Sequence, residues 1–509
     1  MSQPDRNSNQ TPSHLPNQTA NQTAAATRQR DSQQHCYDVV ILGAGSAGQS
    51  AYSQVIKRTS NVLVVNLGPW DTTCARVGCM PSKLLIEASN YADASQHAAQ
   101  FGIYNQTHID SKAVMQRVRR LRDHFTGHVQ REIDAWPAQH KKQGKAQFID
   151  ATTLQVGEDI IRTKTTIVAT GSTPRIAPGW QDALKHKLLT SDTIFNLEEL
   201  PKSMIVVGAG AIGIELAQAL ARLGVQVTLI NQGNVVGGLT NPELRQLATS
   251  LVCQDLTHIA TSSVEQVYVQ DDQVVLHYHT VDPSKNPDAN INSSTGNQNS
   301  GQVKADYLLA AIGRNSSIND LGLSNIDPKY QDIKRPLHDL HTMQLDDLPI
   351  FIAGDVLTPH ALQHEATNDG RIAGINAAHY PNTQAFERYA GLSIVFSAPQ
   401  MAMAGQSYKA LSAANIPFVR AEVSYNNQGR ATVLDKNHGA IQLYGCPTTQ
   451  RLLGAELLVT EAEHMAHLLA WAIQQQLTVA QLLAMPFYHP VLEEGLRTAL
   501  VRLRQQLDK

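Results

Sequence analysis

Cys74 and Cys79 are separated by four residues, Ala-Arg-Val-Gly, in a chain of 509 residues that holds only five cysteines. Two thiols at that spacing can close a disulfide and open it again, with the thiolate as the attacking form. Zinc is the main competing use of closely spaced cysteines, but a structural zinc site takes four ligands, usually as two paired clusters. Cys36, Cys253 and Cys446 stand alone, and His464 and His467 have no cysteine pair beside them, so no metal site is expected. A pair of buried structural thiols is the plain alternative. Context favours redox chemistry: Met80-Pro81-Ser82-Lys83 follows at once, and a glycine-rich turn lies about 30 residues upstream.

That turn locates an electron partner. Residues 37–42 form a short apolar run, suited to a buried parallel strand, that enters Gly43-Ala44-Gly45-Ser46-Ala47-Gly48 and then a helical stretch to about Arg58. Residues 61–65 supply the next strand and complete a βαβ unit. Its glycines let the backbone approach a pyrophosphate, whose charge rests on the helix N-terminus, so Gly43, Gly45, Ser46 and Gly48 are expected to hold FAD. Asn66 ends the second strand where an acid usually takes the ribose hydroxyls, and Asn can still accept one such bond.

The pattern recurs. Residues 204–207 lead into Gly208-Ala209-Gly210-Ala211-Ile212-Gly213-Ile214-Glu215, and residues 225–230 form the following strand. Two fingerprints predict two dinucleotides, with a nicotinamide cofactor at the second site, held by Gly208, Gly210, Ile212 and Gly213. Asn231 replaces the acid that selects NAD, yet no basic cluster follows to grip a 2′-phosphate, the next basic residue being Arg245. NAD is expected, with NADP left open.

Composition excludes several classes. Lys and Arg total 41 against 44 Asp and Glu, which implies no nucleic-acid partner. Residues 1–34 are rich in Gln, Asn, Thr, Ser and Ala without apolar periodicity, and read as a disordered tail lacking a secretory signal. No apolar run is long enough for a membrane span. Few cysteines and no export signal lead to the expectation of a reducing, cytoplasmic location, where a disulfide is more often catalytic than structural.

Further stretches make the pattern specific: Ala169-Thr170-Gly171-Ser172, Ala311-Ile312-Gly313-Arg314, Ala353-Gly354-Asp355, and His489-Pro490 with Glu494 five residues after the histidine. From about His35 to its end the chain resembles the class I pyridine nucleotide-disulfide oxidoreductases, the family of dihydrolipoamide dehydrogenase, glutathione reductase and mercuric reductase. The resemblance implies that Asp355 contacts the flavin ribityl chain, that the backbone near Gln363 runs along the isoalloxazine, and that Thr73, Ala146, Thr170, Gly171, Ser172 and Gly313 belong to the cofactor sites. It also implies a lysine, Lys83, near flavin N5 and paired with Glu215, and an acid–base residue, His489, oriented by Glu494. Because the family dimerises through its C-terminal segment, His489 is expected to act in the other subunit of a homodimer. Cys74 would exchange with substrate and Cys79 would face the flavin.

The fold class implied is α/β, with two Rossmann-like dinucleotide-binding domains, for FAD and NAD, and a C-terminal α+β dimerisation domain. The expected boundaries are 35–187 and 316–380 for the two parts of the FAD domain, 188–315 for the NAD(P) domain and 381–509 for the interface domain. A polar insertion at 282–302 reads as an extended hairpin loop. Departures from the family pattern gather at the substrate side: Asp71-Thr72 replaces Gly-Gly, Arg76 a common Asn, Phe487 a second His, and Val491 a Thr. The leading expectation is oxidation of dihydrolipoamide, free or protein-bound. The alternatives are an NADPH-dependent reductase of another low-mass disulfide and, from another class, a flavin-loaded sensor or complex-docking protein that has lost turnover.

Overall fold

A computed structural model of the chain describes residues 36–281, 300–331, 338–357 and 361–509. The expected tail, 1–34, and most of the 282–302 insertion lie outside the described residues.

The first apolar run forms β1 (Cys36–Leu42), which turns into α1 (Ser46–Val55) and returns as β2 (Val62–Asn66). Every residue of β2 is buried, the mark of a parallel strand covered on both faces. The short helix α2 (Thr73–Arg76) and the long helices α3 (Cys79–Gln96) and α4 (Ser111–Asp134) follow, and the chain re-enters the sheet as β3 (Asp159–Val168). β1 lies between β2 and β3, parallel to both, and strand Ile350–Ile352 extends the sheet beyond β3.

A second parallel sheet repeats the theme with β4 (Ser203–Val207), α5 (Ala211–Arg222), β5 (Gln226–Ile230) and β6 (Thr257–Ile259). Its five strands run in the order β6, β5, β4, Tyr307–Ala310, Leu188–Thr190. Strands Gln273–Thr280 and Ser300–Ala305 pair antiparallel on either side of the 282–299 segment.

The chain then returns to the first sheet through α6 (Gln363–His379). A Cβ on Gly370 of α6 would stand 2.1 Å from the Ala47 carbonyl oxygen of α1. This close packing sets the N-terminus of α6, and Gln363 with it, beside the first glycine-rich turn.

The last unit is a five-stranded antiparallel sheet with β7 (Leu392–Val395) at one edge and β8 (Leu452–Val459) at its centre, backed by α7 (Glu493–Leu507). Glu456 of β8 is fully buried at the joint with the second sheet unit. Its carboxylate accepts hydrogen bonds from Thr240 N (2.7 Å), Asn241 N (2.9 Å), Tyr408 N (2.9 Å) and the Thr240 hydroxyl. Four donors on one buried carboxylate offset its desolvation without a cation. Among the described residues no helix is long and apolar enough to cross a membrane.

Candidate active site

The two glycine-rich turns are built alike. Gly43 adopts φ +107°, and a Cβ there would lie 2.3 Å from the Ala169 carbonyl oxygen. On Gly48 a Cβ would fall 1.9 Å from the Gly43 carbonyl oxygen. In the second turn Gly208 (φ +105°) and Gly213 repeat these approaches at 2.3 Å to Ala311 O and 1.9 Å to Gly208 O. By contrast, Gly45 and Gly210 have nothing within 4 Å of an added Cβ. Both are helix N-caps without side-chain capping bonds. Closed glycines shape each turn, and the open one leaves the first-turn amides to a diphosphate, so both cradles fit a dinucleotide. Ser46 begins α1, and Ile212, in the first turn of α5, is 39% exposed.

Both strand-end asparagines are already engaged. Asn66 accepts from Ala44 N (3.2 Å) and donates to the carbonyls of Gly68 and Pro69 (2.9 Å each). Its amide thus ties the turn to its own loop. Asn231 donates to Val235 O (3.1 Å), and its Oδ1 lies 2.7 Å from His258 Nε2.

The thiols meet where α2 abuts α3. Thr72 caps α2 by accepting from Ala75 N, and Gly78 lets the start of α3 pass close: a Cβ there would lie 3.0 Å from Thr73 O and 3.1 Å from Cys74 Cα. Cys74 and Cys79 are both free thiols, and the Cys74 S–H donates to the Cys79 sulfur. That bond, with the Lys83 ammonium adding to it, holds Cys79 down at about 7 against burial, which pushes it up. Cys74, the donor, is pushed up by the same bond and by burial. Cys79 also opens an 18-residue helix, where the dipole favours a thiolate. Asp71, a departure from the family pattern, pairs with Arg76 at 3.1 Å across this loop.

Lys83, one turn into α3, donates to Glu215 Oε2 at 2.8 Å and lies 4.4 Å from the centre of the Phe396 ring. Glu215 Oε1 accepts from Phe396 N at 2.8 Å. Elsewhere, Ser172 donates to Asp355 Oδ2 (3.4 Å) and is gripped by Arg314 through Nε and Nη2 (2.8 Å each). Burial raises the Asp355 carboxyl above the usual range, and nearby Arg314 partly offsets this. Gly171 and Gly313 have positive φ and nothing within 4 Å of an added Cβ. Thr170 donates to Ser317 O (3.4 Å), and Gln363 donates to Thr367 Oγ1 (3.1 Å). Thr73 is the exposed first residue of α2, whereas Ala146 is buried where its strand begins.

A cavity of about 540 Å³ opens on Cys74. Ser46, Gln49 and Ser50 of α1 and Gln363 and Thr367 of α6 form part of its wall. Phe125, His128, Val129 and Glu132 of α4 form another part. None of the α4 residues belongs to a motif, and their spacing reads only as one helix face. The cavity contains no Lys or Arg. His489 is not on its wall within the same chain: the side chain is 81% exposed, with Nδ1 at 2.9 Å from Glu494 Oε1. The imidazole bond, with Val491 N donating to Oε2 at 3.1 Å, holds the Glu494 carboxyl below the usual range.

Two dinucleotide cradles flanking a dithiol define a flavin-linked disulfide oxidoreductase. The chain belongs to the pyridine nucleotide-disulphide oxidoreductase family, whose model matches residues 37–380, with the family's dimerisation domain at 392–500. FAD and NAD are the cofactors that fit, and the dimerisation domain supports a homodimer. Among curated relatives, dihydrolipoyl dehydrogenase of Geobacillus stearothermophilus is 28% identical over 464 residues, covering 90% of this chain and 94% of that protein. The Chlamydia pneumoniae dihydrolipoyl dehydrogenase is 27% identical, covering 90% and 95%. Two solved structures share the fold at a TM-score of 0.75 and 20% identity. The HOCl-induced flavoprotein disulfide reductase RclA of Escherichia coli covers 91% of this chain and 99% of its own. LpdA of Mycobacterium tuberculosis covers 92% and 99%.

Proposed function

We propose that this chain is a dihydrolipoamide dehydrogenase-type enzyme of the reducing cytoplasm. It would oxidise a neutral dithiol, free or carried on a lipoyl group, at Cys74 and Cys79. The observation that carries this reading is the Cys74 cavity, whose wall offers Phe125, Val129 and Met80 but no cation to meet the carboxylates of a glutathione-like disulfide.

A substrate thiol gives its proton to Nε2 of His489 of the partner subunit, and its sulfur attacks Cys74 Sγ. The Cys74–Cys79 bond breaks, a mixed disulfide forms, and Cys79 leaves as thiolate. The second substrate thiol attacks the substrate sulfur of that mixed disulfide and passes its proton to the departing Cys74 sulfur. It closes the substrate disulfide and releases Cys74. Glu494 holds Nδ1–H, which leaves Nε2 free to accept the proton. Lys83, fixed by Glu215, keeps positive charge beside the Cys79 thiolate. When bound in the first cradle, FAD supplies the two-electron link between this dithiol and a nicotinamide. Gly43, Gly45, Ser46, Gly48, Gly171, Ser172, Asp355 and Gln363 would hold it.

The test follows NAD and NADP reduction in parallel by the FAD-loaded protein with dihydrolipoamide. NAD reduction that disappears in Cys74→Ser is the expected result. No turnover, with the flavin still bleached by NADH, would overturn it. A neutral strand end at Asn231, which does not repel a 2′-phosphate, favours a second reading, NADPH-dependent reduction of another low-mass disulfide. That reading predicts NADPH oxidation with such a disulfide and none of the dihydrolipoamide reaction.

A further inference from the structure

We infer that His258, held by Asn231, meets the adenosine ribose in the second cradle, and that this pair admits NADH and NADPH alike. Asn231 has little left to offer a ligand. One amide hydrogen goes to Val235 O and Oδ1 accepts from His258, which leaves one N–H and one lone pair, both neutral, for any ligand. Because Oδ1 can only accept, the proton on His258 sits on Nε2, and Nδ1 carries the free lone pair.

Register brings the ring there. β6 runs parallel to β5 with His258 opposite Leu229, two residues before Asn231, so the half-buried imidazole reaches the end of β5, where the ribose acceptor of such a cradle belongs. His258 therefore replaces the acidic acceptor with a neutral one. Burial lowers its proton affinity, which keeps the ring uncharged near neutrality. A neutral acceptor takes one hydroxyl hydrogen and exerts no charge repulsion on a 2′-phosphate. Residues 232–236, Gln-Gly-Asn-Val-Val, supply no Lys or Arg to favour one either. With neither repulsion nor attraction, discrimination is small. The inference does not depend on which disulfide the enzyme uses.

The test is calorimetric titration of the FAD-loaded dimer at pH 8 with ADP-ribose and 2′-phospho-ADP-ribose, two probes that undergo no redox step. For the unaltered protein the two affinities are expected to agree within roughly tenfold, or about 1.4 kcal/mol. Asn231→Glu should restore discrimination, weakening only the phosphorylated probe by roughly tenfold or more. His258→Leu should weaken ADP-ribose by roughly three- to tenfold, and His258→Gln, which can donate to Asn231 and still accept from ribose, should rescue it. A preference beyond tenfold in the unaltered protein would overturn the inference, as would unchanged ADP-ribose affinity in His258→Leu. If His258→Leu fails to fold, the unaltered ratio and the Asn231→Glu shift decide.

Discussion

The two nucleotide cradles share every close approach that shapes the turn and differ in what stands at the strand end. Gly43 and Gly208, and likewise Gly48 and Gly213, meet equivalent carbonyl oxygens at the same distances. Asn66 turns wholly inward to its own loop, whereas Asn231 is shared between its own loop and a neighbouring strand. Turn geometry is thus a backbone requirement with no tolerance for a Cβ. Recognition of the ribose is a side-chain matter, and a sequence can reassign it.

Substitutions can separate those two layers. The largest effect is expected from Gly48→Ala or Gly213→Ala, where the new carbon would sit 1.9 Å from a carbonyl oxygen. Each should cost about 3 kcal/mol or more, visible as a lowered denaturation midpoint. Compared as ligand-free proteins, Gly45→Val and Gly210→Val should leave that midpoint nearly unchanged, and each should abolish one ligand. The first protein should purify colourless; the second should stay yellow but no longer bind NADH. If both lost flavin, the independence of the cradles would be refuted. Asn66→Ala removes three bonds within the loop and should cost about 1–2 kcal/mol, with weaker flavin retention. The mildest change is Lys83→Met, which acts on the thiols between the cradles. Cys79 is ionised above about 7, so alkylation of the reduced protein should rise with pH through that value. Removing the ammonium should move the midpoint upward by about one unit. An unmoved profile would assign the raised acidity of Cys79 to Cys74 and the helix terminus alone.

Much of the fold and the meeting of Cys74 with Cys79 was legible because glycines barred from carrying a Cβ, and cysteines close in sequence, leave local marks. Buried all-apolar strands such as β2 announced the parallel sheets for the same reason. The wall of the Cys74 cavity was not legible. Phe125, His128, Val129 and Glu132 look like any amphipathic helix until α4 is laid against the redox loop. Nor was the role of Asn231 visible, since its partner His258 is 27 residues away and reaches it only through strand register. Glu456 escaped notice for a related reason: the backbone amides that bind it have no sequence signature.

Glu215 carries a consequence for how damage spreads. One of its oxygens holds Lys83 of α3, the other holds the backbone of Phe396 beyond β7, and the residue itself rides on α5. Three pieces of the fold, α3, α5 and the segment after β7, are therefore held to a common benchmark. A small displacement of any of them would register as altered thiol acidity before it registered as lost stability, so the alkylation rate of Cys79 can serve as a strain gauge for the whole protomer.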